Sequence, residues 1–242
     1  MEPFELGPLR ARKVVKPTGK MEEKPLTVVL MHGYGAPGDD LVGLASAIDA
    51  PPGTTFLFPE APLSLSDLLL LPVMGDARAW WPIDIQRFER AMARGPGAIA
   101  ELVKDVPEGL DVAREKISAM LDALANEAPR DRLVLGGFSQ GSMLAIDAAL
   151  RTDRALAGVV ALSSTLVAAD EWLPKMASRR GLPIFQSHGT EDPILPYAVA
   201  ELLRRSFDEA GLEVDFVSFE GGHGIPPSVM RDLGAWLRHI PP

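Results

Sequence analysis

Along the chain, short apolar runs alternate with longer stretches in which apolar residues recur at helical spacing. The runs are Thr27–Met31 (TVVLM), Thr54–Phe58 (TTFLF), Arg132–Leu135 (RLVL), Leu156–Leu162 (LAGVVAL), Leu182–Gln186 (LPIFQ) and Val214–Phe219 (VDFVSF). Bounded by Gly, Pro or charged residues, they read as strands buried on both faces of a parallel sheet. Between them, Gly109–Asn126 repeats apolar residues as a helix does, through Leu110, Ala113, Ile117, Met120, Leu121 and Leu124. Ser142–Leu150, Tyr197–Ala210 and Ser228–Arg238 are helical too, and Pro196 and Pro227 stand near helix starts, where a missing N–H is harmless. The alternation predicts an α/β fold, a mostly parallel central sheet with helices on both faces and right-handed crossovers. At the amino end, Phe4–Val15 alternates around Gly7-Pro8 and reads as an antiparallel edge hairpin.

One stretch breaks this rhythm. Residues 59–106 are rich in Pro, Gly, Trp and Leu without a clear period, and hold Leu68–Met74 and the pair Trp80-Trp81. A loop of that length is uncommon unless it covers a pocket. The chain thus reads as a single domain, 1–242, carrying a long loop or flap at about 59–106.

Composition narrows the functions open to such a domain. The 242 residues carry a net charge of −9. That sign disfavours a phosphate backbone or an anionic lipid surface as partner. The chain has no cysteine, which removes disulfides, thiolate metal sites and a Cys nucleophile. Histidines do not pair at helical spacing, so a metal hydrolase is poorly supported. The N-terminus lacks the apolar core of a secretory signal, and no apolar stretch approaches the roughly 18–20 residues of a membrane span. The expectation is a cytoplasmic protein without stable membrane insertion, with a homodimer left open.

The sharpest chemical signal is Gly137-Phe138-Ser139-Gln140-Gly141, set directly between a strand and a helix. So tight a turn strains its central residue and crowds its neighbours, and glycines relieve the crowding. Ser139 is thereby raised above the sheet's carboxyl edge as a candidate nucleophile, but a serine hydroxyl needs a base. Of the four histidines, His223 sits in a glycine-rich loop just past the last strand, at the same edge. His32 and His188 end strands and precede glycines, so they read as partners of loop backbone, while His239 reads as solvated. A carboxylate must fix the imidazole, and Glu191 and Asp192, after the preceding strand, are both candidates. The developing oxyanion needs preorganised N–H donors. Gln140 supplies one, and the loop His32-Gly33-Tyr34-Gly35 the other, with Tyr34 favoured. Both donors are backbone groups, so truncating the Gln140 side chain leaves that contribution in place.

These residues carry a resemblance. The segments LMHGYG (Leu30–Gly35), AWWPID (Ala79–Asp84), GGFSQGS (Gly136–Ser142), HGTEDPILP (His188–Pro196) and GHGIPP (Gly222–Pro227) are similar to the phospholipase/carboxylesterases of the α/β-hydrolase fold. That family includes acyl-protein thioesterases. The resemblance runs from about Pro25 to the C-terminus, and Met1–Lys24 and the stretch from Asp84 to Val106 depart from it. It implies a triad of Ser139, Asp192 and His223, with Asp192 chosen over Glu191, and Tyr34 and Gln140 as oxyanion donors. Trp80 and Trp81 become pocket wall, and Leu69, Leu71 and Met74 part of an apolar acyl-binding flap. The expected activity is cofactor-free hydrolysis of small carboxylic esters of short to medium acyl chain. Lysophospholipids or acyl thioesters are the alternative substrates, and a non-catalytic binding scaffold is the alternative from another class.

Overall fold

The computed structural model describes residues 2–18, 25–70, 72–73, 75–125 and 132–240. The chain opens with an antiparallel hairpin of β1 (Phe4–Leu6) and β2 (Leu9–Val15). Its turn needs Gly7, which has a φ of 59° and leaves no room for a Cβ against Ala119. Next come β3 (Thr27–Met31), α1 (Leu44–Ala47) and β4 (Thr55–Pro59). The stretch 59–106, expected as a long loop, holds β5 (Leu63–Ser64), α2 (Leu65–Leu69), β6 (Arg78–Ala79), α3 (Ile85–Arg94) and α4 (Pro96–Leu102). Most of its elements are too short to show a period; α3 carries one, with Ile85, Phe88, Ala91 and Met92 at helical spacing, yet among its described side chains only Ala91 is buried.

The remaining elements follow the predicted alternation: α5 (Leu110–Leu124), β7 (Leu133–Phe138), α6 (Gln140–Arg151), β8 (Gly158–Leu162), α7 (Ala169–Met176), β9 (Pro183–Gly189), α8 (Tyr197–Ala210), β10 (Glu213–Phe219) and α9 (Pro227–His239). Helix α7 was not expected, because Pro174 interrupts its sequence. Proline lies late in the helix, where its missing N–H forfeits a single intrahelical bond.

Eight strands form one sheet in the order β1-β2-β4-β3-β7-β8-β9-β10, parallel from β4 onward and antiparallel at the hairpin edge. The central strands are buried on both faces, as their unbroken apolar runs require. Alternate residues serve opposite cores. Val29, Met31, Leu133, Leu135, Val159 and Ile184 pack with residues of α5, α6, α7 and α8. Val28, Leu30, Phe56, Val134, Val160 and Phe185 pack with residues of α1 and α9. A one-residue slip would exchange the two sets, so burial pins the register. The parallel strands all end on one edge, and the loops after β3, β7, β8, β9 and β10 gather there. Among the described residues no helix is long and apolar enough to cross a membrane.

Candidate active site

Ser139 caps α6 directly after β7, with φ 52° and ψ −122°. A non-glycine residue with positive φ is strained by roughly 1–3 kcal/mol, which the surrounding packing must offset. Here the turn is clamped from both ends. Ser139 N–H donates to Leu162 O at 2.9 Å, and Ser142 Oγ donates to Ser139 O at 2.6 Å. The flanking glycines answer the crowding the motif predicts: a Cβ on Gly137 or Gly141 would overlap the carbonyl oxygen of Met31. Helix α6 is itself anchored by the fully buried Asp147. That carboxylate takes a bidentate bond from Arg114 at 2.8 and 2.9 Å, and further bonds from Arg151 and the Trp172 indole N–H.

At the end of β10 the chain turns through Gly221 and Gly222 to His223. The His223 ring packs on Phe138, the neighbour of Ser139, with centroids 4.8 Å apart. Its Nδ1–H donates to Asp192 Oδ2 at 2.7 Å, which leaves Nε2 as the ring's lone-pair nitrogen. Ser163, following β8 with a φ of 46°, donates its Oγ to Gly224 O at 3.3 Å and so ties the histidine loop to the sheet edge. No sequence pattern singled out Ser163.

Asp192 is buried and Glu191 exposed, a difference between the two acids that residue spacing alone left open. Asp192 Oδ1 accepts the N–H groups of Ile194 and Leu195, each at 2.9 Å. Burial alone would raise the pKa of this carboxyl. Hydrogen bonds from His188, His223, Leu195 and Ile194 outweigh burial and hold it well below the usual carboxylate range. The acid therefore stays ionised as a partner for an imidazole.

The loop after β3 is built around His32. Its Nε2 accepts Ala61 N–H at 3.0 Å, so Nδ1 carries the hydrogen and donates to Gly33 O at 2.9 Å. Burial lowers the His32 pKa, and the ring serves as a neutral brace for this loop. The Trp80 indole N–H donates to His32 O at 2.9 Å, and Gly35 N–H is committed to Arg78 O at 2.8 Å. Tyr34 N–H donates to no acceptor among the described residues. Beyond the loop, the buried Glu60 pairs with Arg78 at 2.9 Å and Arg12 at 3.4 Å, fixing the start of the 59–106 stretch.

Trp80 and Trp81, expected as pocket wall, are 1% and 3% exposed and stand behind the elbow. The Gln140 side chain joins them to it: Oε1 accepts Trp80 N–H at 3.0 Å and Nε2 donates to Trp81 O at 2.8 Å. Apart from the backbone N–H, to which the sequence reading confined the role of Gln140, this side chain satisfies two buried backbone groups. Leu69 is exposed on α2, and Leu71 and Met74 lie outside the described residues. Instead an open groove of about 440 Å³ adjoins His223, lined by Asp40, Leu41, Leu44, Phe138, Ile225 and Met230. Sequence reading passed over this groove because Leu41 and Leu44 lie in an irregular stretch around the very short α1.

The comparisons agree with this architecture. The sequence model of the phospholipase/carboxylesterase family matches residues 11–240. The chain is 29% identical over 236 residues to acyl-protein thioesterase 1 of Cryptococcus neoformans, covering 89% of this chain and 92% of that protein. It is 28% identical to the Aspergillus fumigatus acyl-protein thioesterase 1, over 98% of this chain and 95% of that one. Among solved structures, esterase PE8 superposes with a TM-score of 0.74 at 26% identity, covering 96% of this chain and 99% of its own. A Bacillus cereus carboxylesterase shares the fold, with a TM-score of 0.64 at 20% identity over 95% of this chain and 93% of that one. The chain is a hydrolase of the α/β-hydrolase fold and belongs to the phospholipase/carboxylesterase family.

Proposed function

We propose that this chain is a serine carboxylesterase acting on esters of short to medium acyl chain, with Ser139, His223 and Asp192 as its triad. The observation that carries the reading is the 2.7 Å bond from His223 to the buried Asp192, made by a ring packed beside the strained serine turn. Ser139 Oγ attacks the ester carbonyl while His223 Nε2 takes its proton. The N–H groups of Tyr34 and Gln140 hold the developing oxyanion, whose charge the N-terminus of α6 also favours. The tetrahedral adduct collapses, His223 returns the proton to the leaving alcohol, and the acyl group remains on Ser139. Water, activated by the same imidazole, releases the acid and restores the serine. Asp192 stays ionised throughout and stabilises the imidazolium that forms at each proton transfer. The apolar groove beside His223 suits an acyl or alkyl chain.

Acyl thioesters are a second reading, favoured by the curated relatives, which are acyl-protein thioesterases at 26–29% identity. A panel of p-nitrophenyl esters of rising chain length, run beside a long-chain acyl thioester, tests both. The carboxylesterase reading expects turnover of short and medium esters and a loss of about 10⁴-fold or more in kcat for Ser139→Ala. A preference climbing steeply with chain length and strongest on the thioester supports the second reading. Failure to cleave any activated ester, or a Ser139→Ala variant that still does so, contradicts the first.

A further inference from the structure

The Asp192 carboxylate has another partner besides His223 and the loop amides. His188, fully buried in β9, places Nε2 3.2 Å from Asp192 Oδ2 and 2.9 Å from the carbonyl oxygen of Leu195. Both neighbours are acceptors, so Nε2 carries the hydrogen. His188 Nδ1 is buried without a hydrogen-bond partner among the described residues, so its lone pair is the form that this setting tolerates. A closed circuit results. Leu195 N–H donates to Asp192 Oδ1, Leu195 O accepts from His188, and the same His188 N–H leans on Asp192 Oδ2.

We propose that His188 is a positioning residue for the hydrolytic centre. Its Nε2–H fixes the plane of the Asp192 carboxylate and draws off part of its charge, which sets both the direction and the strength of the bond to His223. Backbone amides hold only Oδ1; without His188 the oxygen facing His223 has the imidazole as its sole hydrogen-bond donor among the described residues. Among the described residues, the ionisable groups in contact with this cluster are Asp192 and His223 from the two loops and Tyr197 of α8, whose ring centroid is 6.2 Å from that of His188. Glu191, beside Asp192 in sequence, is exposed.

The inference rests on the serine-esterase reading, and a pair of near-isosteric variants tests it separately. In His188→Gln the amide nitrogen can occupy the Nε2 position and still reach Asp192, whereas the shorter amide of His188→Asn reaches only the Nδ1 position. For His188→Asn, kcat on a p-nitrophenyl ester should fall roughly 10–100-fold with KM nearly unchanged. The acid limb of its kcat/KM profile should move to higher pH, because a carboxylate relieved of a donor binds the imidazolium proton more strongly. His188→Gln should recover most of the rate and return the limb toward its wild-type position. The low-field proton resonance of the His223–Asp192 bond should shift in His188→Asn and not in His188→Gln, a readout independent of turnover.

Equal losses in both variants, or a slower His188→Asn whose acid limb and proton resonance are unmoved, would assign His188 to packing alone and overturn the proposal. So would a His188→Asn that keeps wild-type kcat. If His188→Asn does not fold, His188→Gln carries the test: its resonance must match the wild type, and a displaced one refutes the assignment. Inert wild-type protein with an intact His223–Asp192 resonance would instead count against the esterase reading, while the resonance shifts still decide the role of His188.

Discussion

Gln140 Nε2 donates to the carbonyl oxygen of Trp81 at 2.8 Å, across fifty-nine positions of sequence. With the return bond from Trp80 N–H, one side chain welds the residue after the serine to the segment that braces the His32 loop. Gln140→Ala leaves a buried N–H and a buried C=O unpaired, at about 1–3 kcal/mol for each group. Thermal unfolding should show a clear drop in Tm, and ester hydrolysis a drop in kcat, although the Gln140 backbone N–H is retained. A variant with wild-type Tm and kcat would show that the clamp is idle.

The indole of Trp80 reaches the same loop from the other side, through its bond to His32 O. Trp80→Phe keeps the ring's packing but removes this donor, at a cost of about 0.5–1.5 kcal/mol or somewhat more if the carbonyl stays dry. The loss should fall on kcat more than on KM, because the loop carries the Tyr34 N–H proposed to meet charge only in the transition state. Steady-state kinetics on one ester checks this, and a change confined to KM would contradict it.

Gly141 is the residue of the elbow least able to accept a side chain. Its Cβ would overlap both Met31 O and His32 O, which are backbone atoms of a central strand and its loop. Gly141→Ala should therefore destabilise the protein by more than the roughly 0.5–3 kcal/mol of a typical substitution. Gly224→Ala is a useful contrast: no described atom lies within 4 Å of its Cβ position, so Tm should hardly move. Comparable melting of the two variants would mean that the elbow relaxes more freely than its packing implies.

The depressed pKa of Asp192 makes a statement about stability and pH. Its carboxyl is more acidic folded than unfolded, so its contribution is fully present above the ordinary carboxylate value of about 4. That contribution fades as pH falls from there toward the lower folded-state value. Asp192→Asn should thus be less stable than wild type at neutral pH, with the gap narrowing below about pH 4. Chemical denaturation of both proteins across pH reads this directly. A gap that widens in acid would reverse the sign of the linkage.

The central strands were legible because burial on both faces forces unbroken apolar runs, and the Gly137–Gly141 motif because a strand-to-helix turn leaves few residues able to occupy it. Three features were not legible from the residue pattern by itself, each for a physical reason. Most elements within 59–106 are too short to leave a period to read, and the period of α3 is carried by four apolar residues among charged ones in a helix that is largely solvated. Asp192 and Glu191 differ by which side chain turns inward, which depends on the N–H groups of Ile194 and Leu195 converging on one oxygen. His188 and Asp192 are four positions apart, a helical spacing in sequence, yet they meet across a strand end and its loop. Trp80 and Trp81, expected as pocket wall, are buried and brace the elbow rather than line the open groove.

The account stands on Ser139 being chemically set apart from every other serine of the chain. The direct measurement is intact-protein and peptide mass spectrometry after brief exposure of the folded enzyme to an organophosphonate. One adduct is expected, on the peptide carrying Ser139, formed slowly or not at all once His223 is replaced by Ala. Folded protein that stays unlabelled, or carries its label on another serine, would contradict it.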